Sequence, residues 1–96
     1  MLLNKQRRRD QVSIIASILD ITKEGAIKTK IMYGANLSFA QLSDYLLYLI
    51  ENGLIEESMI EGKEGYLITQ KGLGFLKRYR ELANMLECKN GIRKAA

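Results

Sequence analysis

The sequence has no histidine, no proline and no tryptophan, and its one cysteine is Cys88. Without histidine there is no imidazole for acid–base work and no Cys/His zinc site. A single thiol excludes a disulfide framework within one chain and leaves a packed or inert Cys88 as the expectation. Proline breaks helix interiors, so 96 residues without one suit a chain made mostly of helices. Long apolar runs are missing too. The longest, Leu46 to Ile50, is far short of the roughly 20 residues a bilayer-spanning helix needs. The basic start, Met1 to Arg9, is interrupted by Asp10, Gln11 and Ser13, unlike a signal peptide. With no export signal and one unpaired thiol, the reducing cytoplasm is the expected compartment.

What is present fits one small globular domain: 47% hydrophobic and 27% charged residues in 96. Fifteen basic against eleven acidic side chains give a net charge of +4, which permits an anionic partner without identifying one.

From about Arg8 to Lys23, Val12, Ile15, Ala16 and Leu19 recur at helical spacing. Ile14, Ile18 and Ile21 add a second stripe, so this first helix should be buried on much of its circumference. Gly25 is placed to stop it. A two-turn helix capped by Thr29 and carrying Ile31 and Met32 should end at Gly34. Ser38 with Gln41 three residues on, followed by Leu42, Leu46 and Leu49, is a capping box opening a third helix that reaches Asn52. Gly53 closes it. Leu54 to Ile60 and Gly65 to Thr69 read as two strands of a hairpin around the tip Glu61 to Gly65. Thr69 then caps a last helix, with Leu76, Tyr79, Ala83 and Leu86 on one stripe and Phe75, Leu82 and Met85 alongside. One stripe should pack on the domain and the other on a second copy of the chain. Lys89 to Ala96 is expected to fray.

Three helices, a hairpin and a further helix form the order of a winged helix-turn-helix, an α+β, mostly helical fold. The winged domain should span residues 1–69 and a C-terminal dimerisation helix with a basic tail residues 70–96. The stretch Lys28-Thr29-Lys30-Ile31-Met32-Tyr33-Gly34-Ala35-Asn36-Leu37-Ser38-Phe39, together with Gly53-Leu54-Ile55 and Tyr66-Leu67-Ile68-Thr69-Gln70-Lys71-Gly72, resembles the small archaeal winged-helix proteins typified by the ten-kilodalton chromatin proteins of Sulfolobus. The resemblance implies a DNA-binding homodimer whose last helices pair as an antiparallel coiled coil, with one winged domain at each end. A helix of about 18 residues is roughly 27 Å long, which would hold two such domains about a duplex turn or more apart.

Charge is unevenly distributed. Residues 1–35 hold seven basic and three acidic side chains, residues 36–65 one basic and six acidic, and residues 66–96 seven basic and two acidic. Phosphate neutralisation supplies most non-specific affinity, so binding to double-stranded DNA should lean on Arg7, Arg8, Arg9, Lys28, Lys30 and Lys63 and not on the third helix. That helix can add neutral contacts: its amino-terminal amides and Ser38 to a phosphate, Gln41 and Ser43 to base edges, Phe39 to a thymine methyl. Each has a plainer reading. Arg7 to Arg9 also suit a solvated helix start, Lys28, Lys30 and Lys63 suit solubilising charge, and Phe39 and Tyr45 suit core packing. The expected dimer interface is Phe75, Leu76, Tyr79, Leu82, Ala83 and Leu86.

Other chemistry is not expected. Lys71-Gly72-Leu73-Gly74 lacks the full phosphate-loop pattern, and the adjacent Glu56 and Glu57 point to opposite faces of a strand. No cofactor, metal, small-molecule substrate, membrane contact or enzyme activity is anticipated. The expected function is a nucleoid-associated chromatin protein of low sequence specificity. A sequence-specific transcriptional regulator on the same fold is the alternative, and a protein-interaction module that has lost DNA binding is the third reading.

Overall fold

Helical periodicity and turn chemistry produce the expected order of elements with one addition. The structure is a computed structural model in which the backbone is described for residues 2–95 and side-chain surroundings for residues 11–86. Helix α1 spans Leu2–Ile21 and passes into a 3-10 turn, Thr22–Glu24. A two-residue strand β1, Ala26–Ile27, leads into α2, Lys28–Gly34, and then α3, Phe39–Glu51. Strands β2, Ile55–Ile60, and β3, Lys63–Ile68, form the wing, and α4 covers Gln70–Ala95. The antiparallel sheet has the order β1-β3-β2, so the short first strand closes the hairpin on its inner edge.

The core lies where α1, α2, α3 and the base of the hairpin meet. Ile18, Leu19, Ile31, Leu42 and Leu49 are wholly buried there, and Leu46, Leu54, Ile55 and Ile68 join them. Burying each such side chain contributes about 1.5–3 kcal/mol. Among the described residues Thr22 is the one buried polar side chain, and its hydroxyl donates toward the carbonyls of Ile18 (2.9 Å) and Leu19 (3.1 Å), which removes the cost of desolvating it. Val12 does not join the buried stripe of α1; it is exposed.

Three local expectations change. Thr29 is no cap: α2 begins two residues earlier than such a cap would start it, and its N-cap is Ile27, extended because it belongs to β1 and without a side-chain bond. The wing tip is tighter than Glu61 to Gly65. Ile60 pairs with Lys63, leaving a two-residue turn in which Glu61 (φ +53°) and Gly62 (φ +81°) are both left-handed, as a type I′ hairpin requires. Lys63 is therefore the first residue of β3 and not the tip. Helix α4 also carries through to Ala95, past the point where fraying is expected.

Its start is fixed firmly. The Thr69 hydroxyl donates to the Gly53 carbonyl at 2.6 Å and accepts from the Gly72 amide at 3.0 Å, so one side chain caps α4 and ties it to the end of α3. At Gly72 the helix passes so close to the Leu54 carbonyl and Ile68 that a Cβ would collide with both.

Candidate nucleic-acid interface

In this fold α2 and α3 form the helix-turn-helix and the β2–β3 hairpin the wing beside it. Ser38 caps α3 in the expected box: its hydroxyl accepts from the Gln41 amide at 3.2 Å, and Gln41 Oε1 accepts from the Ser38 amide at 3.0 Å. The box has a functional consequence. Bidentate reading of adenine needs both ends of a glutamine amide aimed at the base, and here the Gln41 carboxamide is turned back to the start of its own helix, its Oε1 on the Ser38 amide. Ser43 is half-buried on the other flank of the helix, about 160° from Gln41 at 3.6 residues per turn, so the two candidate base readers do not act on one surface.

Phe39 is 63% exposed, not core, and the Lys28 ammonium lies 4.4 Å from its ring centroid, within cation–π range. That contact gathers an aromatic ring and a cation at the positive end of the α3 dipole, where the first-turn amides also point. Lys30 is exposed on the outer side of α2, and Lys63 is exposed beside the wing turn, between Glu61 and Glu64. Tyr45, by contrast, packs against the core as its plainer reading has it.

The outward face of α3 carries Asp44, Leu47, Tyr48 and Glu51, all exposed. Leu47 and Tyr48 are 57% and 53% exposed, and Val12 of α1, which helical spacing places on the buried stripe, is exposed beside them. Between α1 and α3 runs an open groove of about 530 Å³ floored by Ile15 and Tyr45 and walled by Val12, Asp44 and Tyr48. The wing is acidic as well. Glu57 faces Tyr66 across the ladder, and burial, then the Glu57 and Glu64 carboxylates, hold the Tyr66 phenol above its ordinary value.

Lys71 is a cation the sequence reading passed over, since it was weighed only as part of a phosphate-loop fragment. Its Cδ lies 3.8 Å from the Cβ position at Gly53, at the carboxyl end of α3. Cations thus stand at both ends of α3, Lys28 at one and Lys71 at the other, with carboxylates between. Lys23 and Arg80 both pair with Asp20 and are spent within the chain. Arg7, Arg8 and Arg9, like Cys88, lie outside the described residues.

On α4 the apolar residues divide. Leu76 is in the chain's own core at 4% exposure, which removes it from any interface with a second copy. Phe75 and Tyr79 pack partly on that core, and Ala83 is half-buried. Leu82, Met85 and Leu86 are exposed at 61%, 65% and 59%. Spacing of three and four shows that two stripes exist, but not which one turns inward.

The winged helix-turn-helix family model matches residues 8–87, most of the chain. This protein belongs to that family. It is 40% identical over 88 residues to an uncharacterised protein, MJ0287, of the archaeon Methanocaldococcus jannaschii, covering 91% of this chain and 84% of that one. Among solved structures it is similar to Sso10a-2, a DNA-binding protein from Sulfolobus solfataricus, with a TM-score of 0.73 at 21% identity and 88% of each chain covered. It is also similar to MepR of S. aureus in a DNA complex, with a TM-score of 0.67 at 12% identity, covering 90% of this chain and 72% of that one. Among the described residues no helix is long and apolar enough to cross a membrane, and no group of side chains has the makings of a metal site.

Proposed function

We propose that this winged-helix protein binds duplex DNA as a nucleoid-associated chromatin protein, a homodimer that grips phosphates with little regard for sequence. Binding rather than catalysis is its work. The observation that carries the reading is the makeup of α3: its outward face bears Asp44 and Glu51 and no cation, one of its candidate readers is tied into its own cap, and Lys28 and Lys71 flank its two ends. Such a surface can sit on the phosphate rails but has little with which to interrogate the major groove. The protein-interaction reading shares the acidic face, but the fold it has in common with DNA-binding winged-helix proteins favours the duplex.

The test is titration onto unrelated long duplexes at two ionic strengths, with hydrodynamic mass measured alongside. If each dimer neutralises about six phosphates, affinity falls about a thousandfold between 50 and 200 mM salt. A salt-indifferent affinity sinks the mechanism.

A sequence-specific regulator is the second reading, favoured by the exposed Phe39, which can touch a thymine methyl, and by Ser43 beside it on α3. Selection from a random duplex pool separates the two: a sharp consensus establishes the regulator, and a flat outcome the chromatin protein.

A further inference from the structure

Tyr33 has no task in either reading of duplex binding. It is the most exposed large apolar side chain among the described residues, at 79%, and Phe39 follows it across the turn between α2 and α3 at 63%. Single exposed aromatics are ordinary on a protein surface. These two differ in their surroundings. Residues 25–43, which include all of α2 and the first turn of α3, hold two cations, Lys28 and Lys30, and no carboxylate. Glu24, the last carboxylate before them, is separated from α2 along the chain by Gly25 and β1. Asp44, the first after them, lies about 140° round α3 from Phe39 at 3.6 residues per turn.

Each ring also has a cation of its own. The Lys28 ammonium sits 4.4 Å from the Phe39 centroid, and the exposure of that ring leaves it open to a second stacking partner. Lys30 stands three residues before Tyr33, on the same side of α2, and both are exposed. The turn draws the two pairs toward each other. The Asn36 amide donates to the Tyr33 carbonyl at 3.2 Å and the Leu37 amide to the Met32 carbonyl at 3.0 Å. The six residues from ring to ring are thus folded well inside their extended reach of about 20 Å.

A duplex makes poor use of such rings, because its grooves show base edges and a ring stacks on a face. Unpaired bases show their faces, and they stack on aromatic side chains whatever their identity. We propose that Tyr33 and Phe39, with Lys28 and Lys30, form a binding site for single-stranded nucleic acid. Unpaired bases stack on the two rings, and the two ammonium groups meet the phosphates that join them. The site does not rest on the duplex reading, although Lys28 and Phe39 serve in both.

Fluorescence anisotropy of the full chain with labelled oligothymidylate and oligouridylate of about 12 nucleotides, at low salt, tests the site. Tyr33→Leu keeps the apolar bulk and suits a helix but loses the ring, so affinity for the strands should fall about five- to 150-fold, the worth of one base–aromatic stack. Tyr33→Phe should bind them as the wild type does. Duplex of random sequence should bind wild type and Tyr33→Leu alike, which also shows that the variant is folded. A wild-type chain that binds duplex and ignores both strands overturns the site and leaves the proposed function standing. So does a Tyr33→Leu chain that holds the strands as tightly as the wild type. An equal loss on strands and duplex puts Tyr33 on the duplex and overturns the site as well. Binding of single strands through Tyr33 without binding of duplex upholds the site and overturns the proposed function. The strand bound more tightly tells whether the polymer is DNA or RNA.

Discussion

At the scale of single residues, the informative ones are those whose polar atoms are already committed. Gln41 is the clearest. It was a candidate base reader on sequence grounds, and its Oε1 is held by the Ser38 amide. Gln41→Ala should therefore act on the fold: a loss of about 0.5–1 kcal/mol in urea unfolding, with no change of preference among duplex sequences. Ser38→Ala should cost about 1 kcal/mol, and the double substitution little more, because the box is reciprocal and its halves are not additive. A relaxed sequence preference in Gln41→Ala would return that side chain to the DNA. Tyr66 makes a second prediction at this scale. Its phenol is kept neutral above the ordinary 10.0 by burial and by Glu57 and Glu64. The unfolded chain releases that proton first. The stabilising contribution is therefore complete below pH 10 and is lost as pH rises toward and through the raised value. Thermal unfolding followed from pH 9 upward should show a shallower alkaline decline for Tyr66→Phe than for the wild type; equal slopes would remove Tyr66 from the account.

At the scale of elements, the junction of α3, β2 and α4 is held by Thr69, whose hydroxyl serves Gly53 and Gly72 together. Thr69→Val keeps the shape and loses both bonds, so it should cost about 1–2 kcal/mol in chemical denaturation, against less than 0.5 kcal/mol for Thr29→Val, which caps nothing. Equal losses at the two threonines would deny Thr69 its role. This pair also shows what the sequence made legible. A capping box or a terminal threonine declares itself through local spacing, and α3 and α4 begin where Ser38 and Thr69 say they do. Thr29 misleads because β1 is only two residues long: no alternation can be read from Ala26–Ile27, yet its pairing with β3 holds Ile27 extended and starts α2 there. The hairpin tip was drawn too wide because Glu61, not a glycine, takes the first left-handed position. Helical periodicity counts apolar residues without saying how much surface exists to cover them, so Val12 reads as interior while the small core has no room for it. The candidate interface is half legible: Lys28 and Phe39 are each named from charge and from the start of the third helix, but their contact with one another and the closeness of Lys71 to Gly53 come only from the packing of the elements.

At the scale of the whole molecule, the puzzle is a DNA-binding architecture with the wrong charge at its centre. Residues 36–65 contain six carboxylates and one cation, and α3 presents two of those carboxylates outward. Net charge cannot resolve it, because the excess of +4 belongs to the flanks. If the duplex approaches through the helix-turn-helix, Asp44 lies between the cations at the ends of α3 and faces the same phosphates they attract. Removing it should then help. Asp44→Ala should raise affinity for unrelated duplexes by about two- to tenfold at low salt, an advantage that fades as the Debye length shrinks from about 30 Å at 0.01 M to 10 Å at 0.1 M. Fluorescence anisotropy over that range measures it, and the gain should be alike for every sequence tried, since a carboxylate opposing the backbone discriminates against phosphates and not bases. Asp44→Ala binding no tighter than wild type would mean that the duplex does not pass over α3. The phosphates would then have to be met elsewhere on the chain, and α3's exposed Leu47 and Tyr48 would face a protein instead.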